Sequence, residues 1–195
     1  MIKEEQIDCC FTNDKKWFRY RAAAIIIEND CVLFANNESV DYFYSVGGGV
    51  RHGETAEQAV LREVFEETGV KYEIERLAFI HENFFSESIA SLKGLDCHEI
   101  TLFFLMKPRG TQKLNCKSYC IDGKEFMNWI PINDLGKLKA YPAFFAEKLT
   151  NLSENIEHIV TVDACLQKPT GAKFAPVENY CRDNFIICEG EILYE

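Results

Sequence analysis

The stretch that decides the fold of this chain is residues 48–70, which read GGVRHGETAEQAVLREVFEETGV. Thr55 is followed three residues later by Gln58, a spacing typical of a capping box, in which both side chains bond free amides at a helix start. Gly69 stands where a glycine in the left-handed conformation would end that helix. The stretch therefore predicts a glycine-rich loop followed by a helix over residues 56–68.

The predicted helix has an apolar face beside an acidic face. At about 100° per residue the apolar side chains span roughly 140°, which predicts the side that packs on the core. These apolar residues are Val60, Leu61, Val64 and Phe65. Glu63, Glu66 and Glu67 occupy the adjacent arc, where like charges three and four residues apart repel. One explanation is a solvated acidic surface; the other is a divalent cation such as Mg²⁺, which takes carboxylate oxygens together with substrate phosphate.

The same residues 48–70, called here the signature stretch, resemble the signature of the Nudix hydrolases. That signature is Gly, five residues, Glu, seven residues, Arg-Glu, an aliphatic residue, any residue, Glu-Glu, any residue, Gly and an aliphatic residue. The positions are held by Gly48, Glu54, Arg62, Glu63, Val64, Glu66, Glu67, Gly69 and Val70. The resemblance extends over roughly residues 20–152 and implies an α/β/α sandwich around a mixed β-sheet.

The resemblance also implies an activity, which is hydrolysis of a nucleoside diphosphate linked to another group X. The cofactor would be Mg²⁺, with Mn²⁺ as a possible substitute, and the ions would neutralise the diphosphate and activate a water. The expected metal ligands are Gly48, Glu54, Glu63, Glu66 and Glu67. Arg62 is expected to hold a helix glutamate in place rather than touch the substrate, and Glu54 has loop support as an alternative role.

The general base is sought outside the signature stretch. Glu99 ranks first, as base or additional metal ligand, because it opens the most apolar predicted strand and a carboxylate there needs a partner or a metal. Glu82 and Glu125 rank behind it, and ordinary solvent-exposed positions are the alternative for all three.

Three further residues are candidates for contact with the substrate. Arg21 could reach phosphate, and Tyr44 and Phe84 could stack on a base. The alternative for the arginine is a solvent-facing position, and for the two aromatic residues it is the core.

Composition restricts the class of partner and the compartment. The formal net charge of −10 over 195 residues argues against binding to nucleic acid polymers, which depends on Lys and Arg at phosphates. The nine cysteines are odd in number and irregularly spaced, which favours reduced thiols in the cytoplasm. A zinc site from Cys97, His98, Cys116 and Cys120 is the alternative. Neither a signal peptide nor a membrane span is expected.

The chain divides into an N-terminal extension (residues 1–19), the domain (20–152) and a C-terminal appendage (153–195) for packing or for a homodimer. Period-two patterns predict strands, and the first two should form a hairpin. The predicted strands cover residues 21–27, 31–34, 41–46, 70–85, 99–107, 125–131 and 157–162. Apolar spacing predicts a helix over residues 142–152, and residues 185–194 read as a hairpin.

The sequence leaves the substrate open. A nucleotide sugar or ADP-ribose is favoured because motifs of other substrate classes do not follow the signature stretch. A nucleoside triphosphate pyrophosphohydrolase that sanitises modified nucleotides is the second candidate. A non-catalytic nucleotide-binding regulator comes from another class, but the complete set of Glu63, Glu66 and Glu67 counts against it. An isoprenoid diphosphate isomerase shares the fold, but its signature usually departs from this one.

Overall fold

The computed structural model describes residues 6–86, 92–116, 119–120, 123–163 and 185–188, and two β-sheets organise them. In chain order the strands are β1 (Cys10–Asn13), β2 (Lys16–Ile25), β3 (Ile27–Glu28), β4 (Cys31–Asn37), β5 (Phe43–Ser45), β6 (Gly47–Gly49), β7 (Ile74–Ser86), β8 (Asp96–Met106), β9 (Tyr119–Cys120), β10 (Gly123–Pro131), β11 (Ala140–Tyr141), β12 (Glu157–Asp163) and β13 (Phe185–Cys188). The helices are α1 (Ala56–Thr68), α2 (Phe145–Lys148) and a 3-10 helix (Ile132–Lys137). Within these described ranges, each helix is too short or too polar to cross a membrane.

The first sheet has the order β1-β2-β8-β7-β12-β13, with β6 beside β2. Strands β2 and β8 are parallel, as are β7 and β12, whereas β7 and β8 are antiparallel, so the sheet is mixed. The second sheet has the order β11-β5-β4-β10-β9, with β3 beside β4. The mixed sheet with helices on both sides confirms the predicted α/β/α sandwich.

The first sheet buries apolar side chains on both faces. Ala22 and Ala24 pack with helix α1, and this side is called the α1 face. Ala23 and Ile25 pack with Phe144 and Phe145 at helix α2, and this side is called the α2 face. Because successive strand residues point to opposite faces, each strand of this sheet supplies both cores.

Helix α1 begins and ends as the sequence predicts. The Thr55 hydroxyl accepts a hydrogen bond from the Gln58 amide at 3.2 Å, and the Gln58 side chain accepts one from the Thr55 amide at 2.9 Å. Gly69 has φ +68 and its N–H donates to the Phe65 carbonyl. The helix is therefore capped at both ends by local contacts.

The predicted core-facing side of helix α1 is wrong in part. Val60 and Val64 are buried, but Leu61 is 39% exposed and Phe65 is 47% exposed. The buried arc instead includes Ala56 and Ala59, whose small side chains allow close approach to the sheet. At about 100° per residue, the middle of that arc falls near Glu67, so this carboxylate is turned into the protein.

Several strands match their predictions, with changes at their ends. The hairpin is formed by β3 and β4, and Asn29 and Asp30 at its turn have positive φ. Strand β2, however, continues into the first sheet, whereas β4 belongs to the second. The glycine-rich loop begins as strand β6, which pairs with β2. Strand β7 is long and irregular, with register shifts near its start, and β8 and β10 lie where predicted.

The predicted helix over residues 142–152 is reduced to the four residues of α2. Phe144, Phe145 and Leu149 are buried, so the apolar spacing did identify the packed side chains. The position before the helix is Phe144, which provides no side-chain cap. Without a cap and in a single turn, tertiary packing rather than helix propensity keeps this segment in place.

The predicted strand at residues 157–162 is confirmed as β12, and it pairs with β7 inside the first sheet. The predicted hairpin at residues 185–194 is described only as far as β13, which pairs with β12. Residues 189–195 lie outside the described part of the chain. The division into three parts and the homodimer stay predictions.

Candidate active site

Four glutamates, called here the acidic cluster, lie at and before helix α1, and Arg62 is at their centre. They are Glu54, Glu63, Glu66 and Glu67. The Nε and Nη2 atoms of Arg62 each donate to Glu54 at 2.8 Å, and Nη2 also donates to the Gly49 carbonyl at 3.1 Å. Its Nη1 atom donates to Glu63 and, at 3.4 Å, to Glu66. These contacts raise the pKa of Arg62, with the Glu54 hydrogen bonds as the largest cause. Arg62 therefore contacts two helix glutamates, where the sequence predicts contact with one, and it also bonds Glu54 before the helix.

Glu54 joins the loop to the helix. One of its oxygens accepts a hydrogen bond from the Arg51 amide at 3.1 Å, in addition to the bonds from Arg62. The hydrogen bonds from Arg62 lower the pKa of Glu54. Its contacts are those of the predicted loop support, and a place in a metal shell stays a prediction.

Gly48 lets the backbone of β6 pass directly against a carboxylate. A Cβ atom at this position would stand 2.5 Å from the Glu63 carboxyl carbon. Real Cβ atoms do not come so close to another atom, so any larger residue at position 48 would force the Glu63 side chain to move. The close approach brings the backbone of Gly48 beside the side chain of Glu63, and both residues are predicted metal ligands.

Glu67 is the buried carboxylate of the cluster, with 8% of its surface exposed. Its Oε1 atom accepts a hydrogen bond from the Gly47 amide at 3.0 Å, whereas Oε2 has no hydrogen-bond partner within the described residues. Burial, followed by the negative charge of Glu125, raises the pKa of Glu67 to about 8. A solvated acidic surface, one of the two explanations for the acidic arc, is therefore wrong for Glu67.

Arg21 is buried and bonded to protein acceptors. Its guanidinium donates to the Ser45 hydroxyl and carbonyl, at 3.0 and 2.7 Å, and to the Gly47 carbonyl at 3.1 Å. Burial lowers the pKa of Arg21, partly offset by the charges of Glu99 and Glu67. In this structure Arg21 supports the connection between β5 and β6, and its contact with phosphate stays a prediction.

Glu99 is buried on the α2 face and has the partner that its position requires. It accepts hydrogen bonds from Arg19 Nε at 2.7 Å and from the Thr101 hydroxyl at 3.0 Å. Burial alone would raise its pKa, but Arg19, Arg21 and Thr101 outweigh burial and hold the pKa of Glu99 below its ordinary value. Glu99 is therefore an ionised carboxylate already engaged by an arginine.

The remaining candidates lie in two different places. The Tyr44 hydroxyl donates to Glu125 at 2.7 Å, and Glu125 is close enough to Glu67 to affect its pKa. Phe84 stacks on His98, with ring centroids 4.2 Å apart. Because Phe84 follows Asn83, the register partner of Glu99, it points to the opposite face of the sheet. Phe84 and Glu99 therefore lie on different faces, and stacking of Phe84 on a base stays a prediction.

Glu82 also lies on the α1 face, where its carboxylate is 2.8 Å from His158 Nε2 and 3.7 Å from His98 Nε2. These partners differ from those of the acidic cluster around Arg62, and a role for Glu82 as a base stays a prediction.

Across the described ranges, no three His, Cys, Asp or Glu side chains are arranged as a metal site. In the acidic cluster, the Arg62 side chain lies between the carboxylates and forms ion pairs with Glu54, Glu63 and Glu66. For the alternative zinc site, Cys97 contacts the Leu95 carbonyl and Cys116 the Thr68 carbonyl. The side chain of Cys120 lies outside the described residues.

Comparison with known proteins places the chain. The sequence profile of the NUDIX domain matches residues 17–152, which include every residue of the acidic cluster. The chain belongs to the Nudix family.

Curated Nudix relatives are named diphosphoinositol polyphosphate phosphohydrolase 2. The protein from Rattus norvegicus is 37% identical over 76 residues, which cover 37% of this chain and 42% of the relative. The protein from Homo sapiens is 36% identical over 76 residues, which again cover 37% of this chain and 42% of the relative. The chain thus spans about two fifths of the length of these relatives.

Solved structures agree on the Nudix fold. A MutT protein from Bacillus halodurans superposes with a TM-score of 0.58 at 16% identity, covering 74% of this chain and 90% of that one. A MutT protein from Methanosarcina mazei Go1 gives a TM-score of 0.52 at 18% identity, covering 70% and 92%. At these identities the likeness shows the fold alone.

Proposed function

We propose that this Nudix protein is a divalent-cation-dependent hydrolase that cleaves the diphosphate linkage of a nucleoside diphosphate joined to a group X. The observation that carries the proposal is Glu67, a buried carboxylate with one oxygen unbonded in the described structure and a pKa raised to about 8. A buried carboxylate oxygen without a hydrogen-bond partner is unfavourable, and a bound cation would supply the missing partner. The nucleotide-sugar or ADP-ribose type of substrate is favoured.

The residues around Glu67 fit a hard divalent cation. The negative charges of Glu125 and Glu63 act on Glu67, and Gly48 brings a backbone against Glu63, so these oxygen donors would have to draw together around a bound ion. Oxygen donors suit Mg²⁺ and Mn²⁺ rather than softer metals. When bound, such an ion neutralises diphosphate and lowers the pKa of a coordinated water.

The side chains of the chain divide the remaining tasks. Arg62 keeps Glu54, Glu63 and Glu66 at fixed positions on and beside the helix. Glu125 takes the place of Glu99 as the leading candidate for the base, because its charge reaches Glu67 and the Tyr44 hydroxyl orients it. Glu99 is less suited, because its ion pair with Arg19 and its lowered pKa make it a weak proton acceptor.

A second substrate class has support from the relatives, whose name describes hydrolysis of diphosphoinositol polyphosphates. That match covers 37% of this chain, which is too little to transfer the relatives' substrate to it. Nucleoside triphosphates are a third class, and a non-catalytic nucleotide-binding regulator is the alternative to any enzyme.

The deciding experiment measures product release by the full chain, with Mg²⁺ or with a chelator. The panel contains ADP-ribose, a nucleotide sugar, a nucleoside triphosphate and a diphosphoinositol polyphosphate. The proposal expects metal-dependent cleavage of ADP-ribose or the nucleotide sugar to a nucleoside monophosphate. Preference for another member would correct the substrate class. Binding of nucleotides without turnover of any would overturn the enzyme and favour the regulator.

A further inference from the structure

Three hydrogen-bonded side chains join β12 to β7 on the α2 face. The Thr161 hydroxyl donates to Asn83 Oδ1 at 2.6 Å and lies 2.8 Å from His81 Nε2. Thr161 is 7% exposed and His81 is 4% exposed. Thr161 comes from residues beyond the NUDIX match, which ends at residue 152. A segment outside the family domain therefore contributes a buried polar contact to the α2 face.

The direction of these hydrogen bonds follows from the groups themselves. A carbonyl oxygen only accepts, so the one proton of the Thr161 hydroxyl is given to Asn83. Toward His81 the hydroxyl can then only accept, which requires a proton on His81 Nε2. Burial lowers the pKa of His81 to about 4, so the ring is neutral near pH 7. With its Oδ1 held by Thr161, Asn83 turns its amide NH₂ away from β12.

Asn83 lies on the row of polar residues that leads to the acidic cluster. It is the register partner of Glu99 on β8, and Glu99 is the partner of Arg19 on β2. Arg21, also on β2, bonds the Gly47 carbonyl, and the Gly47 amide bonds Glu67. With neighbouring strands about 4.8 Å apart, Asn83 stands about 10 Å from β2. This is the distance to β2, and Gly47 and Glu67 lie beyond that strand.

The charges along this row are matched within the protein. Arg19 pairs with Glu99, and the donors of Arg21 point at Ser45 and Gly47. On the same face, the rings of Trp17 and Phe85 meet edge to face at 6.2 Å. Aromatic rings and a neutral amide suit an uncharged group with oxygen acceptors, rather than one that carries several phosphates.

We propose that Asn83 is a specificity-determining residue that donates a hydrogen bond to a hydroxyl or carbonyl oxygen of an uncharged group X, and that Thr161 and His81 are its positioning residues. The inference rests on the proposed function and extends it in two ways. It makes β12 part of substrate recognition, and it favours a sugar or base over a polyphosphorylated inositol as the group distal to the cleaved bond.

The kinetic test uses the full chain with Mg²⁺ and ADP-ribose, and a nucleotide sugar as the second probe. Thr161→Val removes the hydroxyl, and Asn83→Asp replaces the donor by an acceptor of the same shape. Each is expected to raise KM about tenfold, the effect of one lost hydrogen bond, while kcat stays within about threefold. Thr161→Ser retains the hydroxyl and is expected to retain the parent KM. Thr12→Val, on the exposed strand β1, is the control for loss of a hydroxyl elsewhere.

Unchanged KM in Thr161→Val, with only a lower unfolding midpoint, would reduce Thr161 to a structural residue and overturn the inference. An equal rise of KM for a diphosphoinositol polyphosphate would overturn the choice of an uncharged group. A parent protein that turns over none of the diphosphates overturns the proposed function instead, and the recognition role falls with it.

A second measurement does not need a substrate. The ¹⁵N resonances of the His81 ring in the full chain report which nitrogen carries the proton. The inference requires Nε2–H in the parent protein at pH 7. A ring protonated only on Nδ1 would mean that Thr161 donates to His81 and Asn83 presents its carbonyl, which would overturn the inference even if the enzyme is active.

Discussion

Glu66 and Glu67 are adjacent in sequence but stand in opposite surroundings. The Glu66 side chain is 51% exposed, whereas Glu67 is 8% exposed. We expect Glu66→Gln and Glu67→Gln each to lower kcat by several orders of magnitude, because each removes a candidate metal ligand. The unfolding midpoint of the metal-free protein should not fall in Glu67→Gln, since an amide avoids burying a charge.

The control for this pair is Glu57→Gln, which changes an exposed glutamate of the same helix outside the signature positions. Its turnover should stay near that of the parent. Near-parent turnover of both Glu66→Gln and Glu67→Gln at saturating Mg²⁺ would show that neither residue is a ligand.

Gly48 allows a sharper test of the metal site, because it changes no carboxylate. In Gly48→Ala the added Cβ would stand 2.5 Å from the Glu63 carboxyl carbon, so Glu63 must move. We expect the Mg²⁺ concentration for half-maximal activity to rise about 10- to 100-fold, as when groups that orient a metal ligand are lost. Gly136→Ala is the control, since its Cβ meets nothing closer than 4.0 Å. Equal Mg²⁺ dependence in the two variants would contradict this role for Gly48.

His81 should make the stability of the fold depend on pH. Its folded-state pKa of about 4 lies below the ordinary value of 6.5, so its contribution is present above pH 6.5 and is lost as pH falls toward 4. The difference corresponds to about 3 kcal/mol at most. Denaturant unfolding at pH 7 and pH 4.5 should show a smaller loss of stability in His81→Gln than in the parent. The same loss in both proteins would show that His81 ionises freely in the folded state.

Among the elements, helix α1 depends on its capping box. Thr55→Ala removes the hydroxyl that accepts a hydrogen bond from the Gln58 amide. This change should lower the free energy of unfolding by about 1 kcal/mol. Thr55→Ser keeps the hydroxyl and should lose much less. Activity is expected to fall less than in the glutamine variants, because no candidate ligand is removed. Equal denaturation midpoints for the alanine variant and the parent would mean that the cap contributes nothing.

Helix α1 could be predicted because its signals are local, from Thr55 to Gly69. Its orientation could not be predicted from apolar residues alone. Ala56 and Ala59 face the sheet and turn Glu67 inward, which leaves Phe65 half-exposed. Small residues carry little weight in a hydrophobic pattern, yet they decide how closely a helix approaches a sheet.

Strand partners were less predictable than strands. Period-two patterns locate β7, β8 and β12, but they do not contain the information that β2 and β4 lie in different sheets. For the same reason the contact of Thr161 with Asn83 could not be predicted from the sequence. Alternation places Asn83 with Glu99 on one face, and only the pairing of β12 with β7 brings Thr161 beside them.

At the scale of the whole molecule, β12 is an interior strand of the first sheet. Ile159 is 1% exposed, whereas Ile156, just before the strand, is 56% exposed. Ile159→Ala should lower the free energy of unfolding by about 2–5 kcal/mol, and Ile156→Ala by less than about 0.5 kcal/mol. Chemical denaturation of both variants measures the difference. A similarly small loss of unfolding free energy in both variants would show that β12 contributes little to the stability of the domain.

The pairing of β12 with β7 also fixes the order of events on the ribosome. Phe79 has Glu157 as its partner, so the residues from 79 to 157 must all be synthesised before β7 gains this neighbour. Until then β7 presents an open edge with unpaired backbone groups, which is a site for association with other chains. A polypeptide cut short at residue 152 would contain the whole acidic cluster and still lack the strand that covers this edge. Such a product would also lack Thr161, and its open edge would expose it to chaperones and proteases.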